Sequence, residues 1–268
     1  MQPLSTFSLG ARRAVRGVLC DIDDTITTDG QLTAAAYAAL ERLHAAGLSV
    51  VPITGRPAGW CDHIARMWPV DAVIGENGAF YFRYDHAARE MRRQFVDAPE
   101  IRAQHRAALA GIAAEILATV PGAAIAADQH YRETDLAIDF CEDVPRLPDA
   151  AVQRIVALMQ QRGLTAKVSS IHVNGWFGRY DKLAMTRRLF AECFGTDLDA
   201  TRVHYVFAGD SPNDAPMFGY FPHAVGVANV RAFSGRLAHR PAYITVASAG
   251  AGFVELVDFL LKAQSKNE

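Results

Sequence analysis

Short apolar runs alternate with longer helical patterns over the first third of the chain. The continuous apolar runs span 15–20, 48–53 and 72–74. Runs of this kind are typical of strands buried on both faces of a parallel sheet. Segments 32–46 and 57–68 carry apolar residues at helical spacing, with Gly47 and Pro57 where helices end and begin. Alternating strands and helices predict a doubly wound α/β sheet.

The middle of the chain follows another pattern. Two long helical segments are predicted at 99–120 and 149–162. Short strands are predicted at 123–127, 136–141, 166–170 and 172–177. Two helices over a mostly antiparallel sheet predict a small α+β unit.

The first pattern resumes in the last part of the chain. A helix is predicted at 181–194, strands at 203–208, 224–227 and 243–246, and an amphipathic helix at 252–262. The α+β unit is therefore inserted into the α/β unit rather than appended to it. We predict a core unit from residues 1–96 and 179–268 and an inserted unit from residues 97–178.

Composition narrows the class of protein. The chain has 268 residues, of which 50% are hydrophobic and 21% charged, as in an ordinary globular protein. A net charge of −2 disfavours a nucleic-acid partner, and the absence of a long apolar run or a signal-like N-terminus disfavours a membrane or secreted protein. Four cysteines far apart predict reduced thiols in a cytoplasmic protein. The chain is expected to be a monomer or a homodimer.

Polar residues cluster where the predicted strands end. Asp21 and Asp23 follow the first strand and Thr54 the second. Lys182 opens a predicted helix, and Asp210 and Asp214 follow a later strand. Ligands meet at the carboxyl ends of parallel strands in open α/β sheets. Clustered carboxylates need a cation, and an all-oxygen set suits Mg²⁺. With an ammonium and a hydroxyl added, the set complements a phosphoryl group that a carboxylate could attack.

In this order, the motifs resemble those of the haloacid dehalogenase superfamily. They are Asp21-Ile-Asp23-Asp-Thr25, Thr54-Gly-Arg, Lys182 and Gly209-Asp210-Ser-Pro-Asn213-Asp214. The resemblance covers essentially the whole chain. It implies that residues 1–96 and 179–268 form a Rossmann-like hydrolase core and that residues 97–178 form a type IIB (C2B) cap domain that determines substrate specificity. The motif wording is closest to the mannosyl-3-phosphoglycerate and sucrose-phosphate phosphatases. Leu183 departs from the pattern, since many members have Gly after the Lys.

The resemblance also implies roles for single residues. Asp21 would be the nucleophile, and Asp23 the acid and base. Thr54 and Lys182 would hold the phosphoryl oxygens. Substrate binding falls to Gly55, Arg56 and Asn213, and Mg²⁺ binding to Asp21, Asp23, Asp210 and Asp214, the last through water or by orienting Lys182 instead.

The resemblance implies a Mg²⁺-dependent phosphatase acting on a phosphorylated small molecule, with a sugar phosphate as the leading substrate class. Two alternatives stay open. A phosphomutase of the phosphomannomutase type would share this cap and would isomerise its substrate without releasing phosphate. A non-catalytic phosphate-binding regulatory protein would share the fold, but the intact carboxylates and lysine argue against it.

Overall fold

The computed structural model describes residues 1–264. Within this range the strands are β1 (Gln2–Pro3), β2 (Gly17–Cys20), β3 (Ser49–Pro52), β4 (Val73–Gly75), β5 (Phe80–Asp85), β6 (Glu90–Phe95), β7 (Ala124–Ile125), β8 (Asp135–Asp139), β9 (Thr165–Val168), β10 (His172–Trp176), β11 (Tyr205–Gly209), β12 (His223–Gly226) and β13 (Tyr243–Ile244). The α-helices are α1 (Leu9–Arg13), α2 (Ala34–Ala45), α3 (Ala58–Met67), α4 (Pro99–Thr119), α5 (Asp149–Gln161), α6 (Lys182–Phe194), α7 (Leu198–Thr201), α8 (Ala215–Tyr220) and α9 (Ala249–Gln264).

A six-stranded parallel sheet forms the centre of the molecule. Its strand order is β1-β13-β12-β11-β2-β3. Along each strand, side chains alternate between two apolar clusters, so that Val18 packs on one face and Leu19 on the other. Helices α2 and α9 cover the first face and α6 and α8 the second. Burial on both faces explains why these strands are continuous apolar runs in the sequence.

Residues 99–176, called the insert below, form a second sheet. The antiparallel order is β7-β8-β10-β9, and α4 and α5 pack on this sheet. Its apolar cluster consists of side chains from the insert and the adjoining Phe177. A separate cluster agrees with an inserted α+β unit, while the domain bounds 97–178 stay a prediction.

The hairpin β5–β6 extends β4 into a separate three-stranded sheet. β5 pairs with β4 on one side and β6 on the other, both antiparallel. Strand β6 was not predicted, because its sequence Glu-Met-Arg-Arg-Gln-Phe is mostly polar and half of its residues are exposed. It takes its strand conformation from pairing with the apolar β5.

The predicted fold class, an α/β core with a parallel sheet and an added α+β unit, is confirmed. None of the helices in residues 1–264 has the length and apolar character needed to cross a bilayer.

Candidate active site

Two neighbouring central strands deliver the first acidic residues. Asp21 follows β2 and Asp210 follows β11, which pair in parallel with Leu19 opposite Phe207. The backbone N–H of Asp21 still donates to the carbonyl of Ala208, at 2.9 Å, so the two loops leave the sheet together. Their carboxylates therefore meet at one end of the sheet.

Lys182 joins this pair from the first residue of α6. Its Nζ lies 2.6 Å from Oδ1 of Asp21 and 2.7 Å from Oδ1 of Asp214. Burial by itself would lower the pKa of Lys182, but the two carboxylates outweigh burial and raise that pKa above its ordinary value. The ammonium is thus held in its charged form between two acids.

Asp210 adds a third carboxylate to the two that contact Lys182. Oxygens of Asp21, Asp210 and Asp214 all lie within 4.8 Å of one another, and all three residues are buried. Burial raises the pKa of Asp21 and of Asp210 well above the ordinary range, and neighbouring carboxylates raise each further. The excess of buried negative charge makes this a site for a cation with oxygen ligands.

Asp210 and Asp214 differ in what their oxygens already bind. Both oxygens of Asp214 are engaged: Oδ1 by Lys182, and Oδ2 by the backbone N–H groups of Asp210 and Ser211 at 3.0 and 3.3 Å. Asp210 accepts a longer pair of bonds from Thr25 (3.1 Å) and from the Asn229 amide (3.3 Å). Asp214 is therefore fixed as a partner of Lys182, whereas Asp210 is more weakly held.

Thr54 follows β3 at the same sheet edge, with a fully buried side chain. Its Oγ1 accepts the backbone N–H of Arg56 at 3.0 Å, which leaves the hydroxyl proton to donate elsewhere.

Gly55 lies against the side-chain amide of Asn77, which a Cβ at position 55 would approach to 3.2 Å. Asn213 donates to Oδ1 of Asn77 at 3.3 Å, and Nδ2 of Asn77 is buried without a hydrogen-bond partner.

A backbone turn places Lys182 against the site. Glu76, Asn77 and Gly78 all have positive φ (44°, 56° and 106°), a sequence of left-handed residues that costs backbone free energy. Gly78 touches the start of α6, and a Cβ there would overlap the carbonyl of Asp181. The turn thus acts as a support for the residue before Lys182.

Asp23 stands apart from the acidic group and pairs with Arg56. Nε of Arg56 donates to Oδ1 and Oδ2 of Asp23 at 2.9 and 3.1 Å. The same guanidinium reaches Glu142 of the insert at 2.6 Å and Asp128 at 3.4 Å. Nε2 of His172 lies 2.9 Å from the other oxygen of Glu142. Arg56, predicted to bind substrate, is thus buried in an ion-pair network that joins core and insert.

Glu76 is a second junction between core and insert, and sequence reasoning missed it. Its carboxylate accepts the backbone N–H groups of Ala58 (3.0 Å), Glu133 (2.9 Å) and Thr134 (2.7 Å), and the hydroxyl of Thr134. Burial raises the pKa of Glu76 to about 7. A lone Glu in a turn is ordinarily exposed, so its residue type gave no reason to expect burial. The available signal was its place in the Gly-Glu-Asn-Gly turn.

Arg132 closes the same interface from the insert. It is buried between Asp128 and Asp135, with bonds of 2.9 to 3.1 Å, and donates to the carbonyl of Gly55 at 2.8 Å. Asn174 donates to Asp135 at 2.9 Å. The core meets the insert here through paired charges rather than through apolar side chains.

Two cavities are lined in part by Asp23. The first measures about 10 Å³, room for about one water molecule. Its wall combines site residues with a loop of the insert: Asp21, Asp23, Gly55, Arg56, Ser169, Ser170, Ile171, His172, Asn174, Ser211 and Asn213. The second is an open cleft of about 490 Å³, lined largely by aromatic and aliphatic side chains.

Comparison with protein families agrees with this geometry. Residues 18–106 match the model of the haloacid dehalogenase-like hydrolases. The matched segment covers about a third of the chain. It contains Asp21, Asp23 and Thr54, so the predicted superfamily and the predicted hydrolase class of enzyme are confirmed. No curated protein matches the chain.

Solved structures share the fold over nearly the whole chain. One is a Thermoplasma acidophilum protein: TM-score 0.67, 17% identity, covering 92% of this chain and 98% of its own. A putative HAD/COF-like hydrolase from Plasmodium vivax has TM-score 0.66 at 14% identity and 95% and 99% coverage. The sucrose-phosphatase of Synechocystis sp. PCC6803, solved with sucrose and phosphate, has TM-score 0.61 at 16% identity and 92% and 98% coverage. At these identities the likeness concerns the fold.

Proposed function

We propose that this hydrolase is a Mg²⁺-dependent phosphomonoester phosphatase that works through an aspartyl-phosphate on Asp21. The observation that carries the proposal is the buried contact between Asp21 and Lys182, with two further carboxylates within 4.8 Å. A carboxylate held beside an ammonium and a cation site can attack a phosphorus atom whose charge those two groups neutralise.

The donor set fits Mg²⁺. All three grouped side chains offer hard oxygen ligands, without sulfur or nitrogen. Asp21 and Asp210 would hold the ion through their carboxylates, and Asp23 through its backbone carbonyl. Asp214 would orient Lys182, since its Oδ1 lies 2.7 Å from the ammonium and its Oδ2 accepts two backbone N–H groups. When bound, Mg²⁺ would polarise the phosphoryl group and offset its charge.

The remaining steps belong to the chain's own residues. Asp21 would attack phosphorus, forming an O–P bond as the ester P–O bond breaks, while Asp23 gives a proton to the leaving oxygen. Asp23 would then take a proton from water as that water attacks phosphorus and releases Asp21 and phosphate. Lys182 and the free hydroxyl proton of Thr54 would hold the phosphoryl oxygens in both steps.

The insert would act as a cap over this reaction. The cavity beside Asp21 and Asp23, about 10 Å³, is too small for a phosphate ester. Substrate entry would therefore require the 169–172 loop and the Arg56 network to move.

We expect a phosphorylated sugar as substrate, which the shared fold with a sucrose-phosphatase supports. A cytoplasmic location and a monomer or homodimer stay predictions.

The test is phosphate release from a panel of sugar phosphates with Mg²⁺, for the native protein and Asp21→Asn. The variant keeps the shape of the side chain and removes the nucleophile. Asp29→Asn is the matched control, because Asp29 is exposed, lies in the same segment, and its positive φ suits Asn. We expect release that vanishes in Asp21→Asn only.

Two results would count against the proposal. Release that persists in a folded Asp21→Asn protein would exclude Asp21 as nucleophile. Isomerisation of a sugar phosphate without release of phosphate would assign the site to a phosphomutase instead.

A further inference from the structure

The open cleft beside Asp23 is a feature that the phosphoryl chemistry does not use. It measures about 490 Å³, within the range of small-molecule sites. Its aromatic residues come from both units: Trp60 and Trp68 from the core and Tyr131 from the insert. Trp60 and Tyr131 are 42% and 50% exposed, although large aromatic side chains are generally well buried.

Asp23 fixes where the leaving group must lie. In the proposed reaction its carboxylate gives a proton to the leaving oxygen, so the alcohol must stand within reach of Asp23. With the 169–172 loop in place, the cavity beside Asp21 has room for about one water molecule, whereas the cleft has room for a whole ring. Of the two spaces that Asp23 lines, only the aromatic cleft already has the volume for a ring-bearing alcohol in the closed arrangement.

The chemistry of the lining defines the kind of alcohol. The indole of Trp60 lies under the guanidinium of Arg56, at 4.4 Å from its carbon, so the ring is already oriented beside Asp23. Polar groups are few: Asp23, Thr27 and His63 stand among apolar side chains. A wall of flat apolar rings with few polar groups suits a ligand with a flat apolar face and a polar edge.

Tyr131 is fitted to the cleft by a glycine. A Cβ at Gly59 would come to 3.0 Å from Cβ of Tyr131 and 3.2 Å from its ring. Gly59 thus lets an insert residue lie against the first turn of α3. The aromatic wall of the cleft is therefore complete only when the insert and the core are in contact.

We propose that the cleft between Trp60, Trp68 and Tyr131 is the subsite for a ring-bearing leaving group of the phosphate ester. This rests on the proposed phosphatase function and deepens it: the ring lies against Trp60, and the ester oxygen reaches Asp23. The shared chemistry is a flat ring, which a sugar or an aromatic alcohol supplies.

Binding to the Asp21→Asn protein tests the subsite without turnover. Calorimetry with Mg²⁺ would compare glycerol 3-phosphate, which has no ring, with a hexose 6-phosphate and with 4-nitrophenyl phosphate. Each would be titrated into Asp21→Asn and into the double variant Asp21→Asn/Trp60→Ala. We expect Trp60→Ala to weaken binding of a ring-bearing ester by roughly 10-fold and of the ring-free ester by less than about 3-fold. The hexose and nitrophenyl arms show which ring the cleft takes.

The control is Met67→Ala in the same background. Met67 is 64% exposed, lies on the same helix as Trp60 and does not line the cleft. It should leave all three affinities unchanged. Equal losses for all three esters in a folded Trp60→Ala protein, or no loss for any, would overturn the subsite. Failure of the native protein to release phosphate would instead overturn the phosphatase proposal, since the binding comparison does not depend on hydrolysis.

Discussion

Arg56 of the core and Glu142 of the insert face each other with Nη2 and Oε1 2.6 Å apart. The same guanidinium holds Asp23, so one side chain connects the proposed acid and base to Glu142 of the insert, which in turn contacts His172. The position of the insert and the orientation of Asp23 are therefore coupled through Arg56.

Glu142→Gln should loosen the closed arrangement. The change removes the charge from a partly exposed pair, whose loss is worth about 1 kcal/mol, or roughly a fivefold change in population. We expect faster amide hydrogen exchange in residues 169–172, measured by mass spectrometry. Glu115→Gln is the control, because its partner Arg162 lies within the insert itself. Equal exchange in native and Glu142→Gln proteins would contradict the role of this pair.

Asp210 and Asp214 should respond differently to amide substitution. Asp210 is proposed to hold the ion, so Asp210→Asn should raise the Mg²⁺ concentration for half-maximal activity by at least about 10-fold. Asp214→Asn removes a partner of Lys182 and should mainly lower kcat, with a smaller change in Mg²⁺ requirement. Magnesium titrations of activity at saturating substrate measure both. The reverse order would mean that Asp214 is the direct ligand.

Gly78→Ala should damage both stability and activity. A Cβ at this position would overlap the carbonyl of Asp181, and φ is +106°. We expect a loss of about 2–3 kcal/mol in the free energy of unfolding, measured in urea, and a fall in kcat as Lys182 is displaced. Gly111→Ala is the control: it lies in α4 with open space around its Cβ, and should stabilise the protein by up to about 1 kcal/mol. A Gly78→Ala protein as active and stable as the native one would remove the supporting role of the turn.

Glu76 should make stability depend on pH. Its folded pKa, about 7, lies above the ordinary 4.5, because burial and Asp135 outweigh Arg132 and the hydrogen bonds it accepts. Cys61 and Tyr180 are the other titratable groups facing it. The folded state therefore binds a proton more tightly than the unfolded state between about pH 4.5 and about pH 7.

Stability that Glu76 contributes should thus be present below about pH 4.5 and be lost as pH rises through about 7. We expect this part of the decline, of the order of 3 kcal/mol, to disappear in Glu76→Gln, which cannot titrate. Urea unfolding at several pH values measures it. The exposed Glu41→Gln should keep the decline of the native protein. An unchanged pH profile in Glu76→Gln would show that Glu76 does not titrate in this range.

The residues that follow the strands could be predicted as a group, because the carboxyl ends of parallel strands lie at the same edge of a sheet. Asp21, Thr54 and Asp210 each follow one of these strands. Lys182 and Asp214 are uninformative as single residues and became candidates only through their place in the ordered set of motifs. The contacts of Asp21 with Lys182 then follow from charge. Catalytic roles for these residues stay predictions.

Residues of the interface were not predictable in the same way. Glu76 and Arg132 are charged, and a charged residue in a turn is ordinarily solvated. Their burial depends on how the insert docks, which is a long-range arrangement that no local pattern records. Strand β6 is likewise decided by its partner β5.

The polar junction between core and insert has a thermodynamic consequence. If the units parted, the apolar cluster within the insert would stay packed, whereas Arg56, Arg132, Glu76 and their partners would be hydrated together with the contact of Tyr131 on Gly59. Hydration of apolar surface raises the heat capacity and hydration of polar surface lowers it. Opening should therefore carry a smaller heat-capacity change than the parting of an apolar interface of the same area, and its enthalpy should vary correspondingly less with temperature.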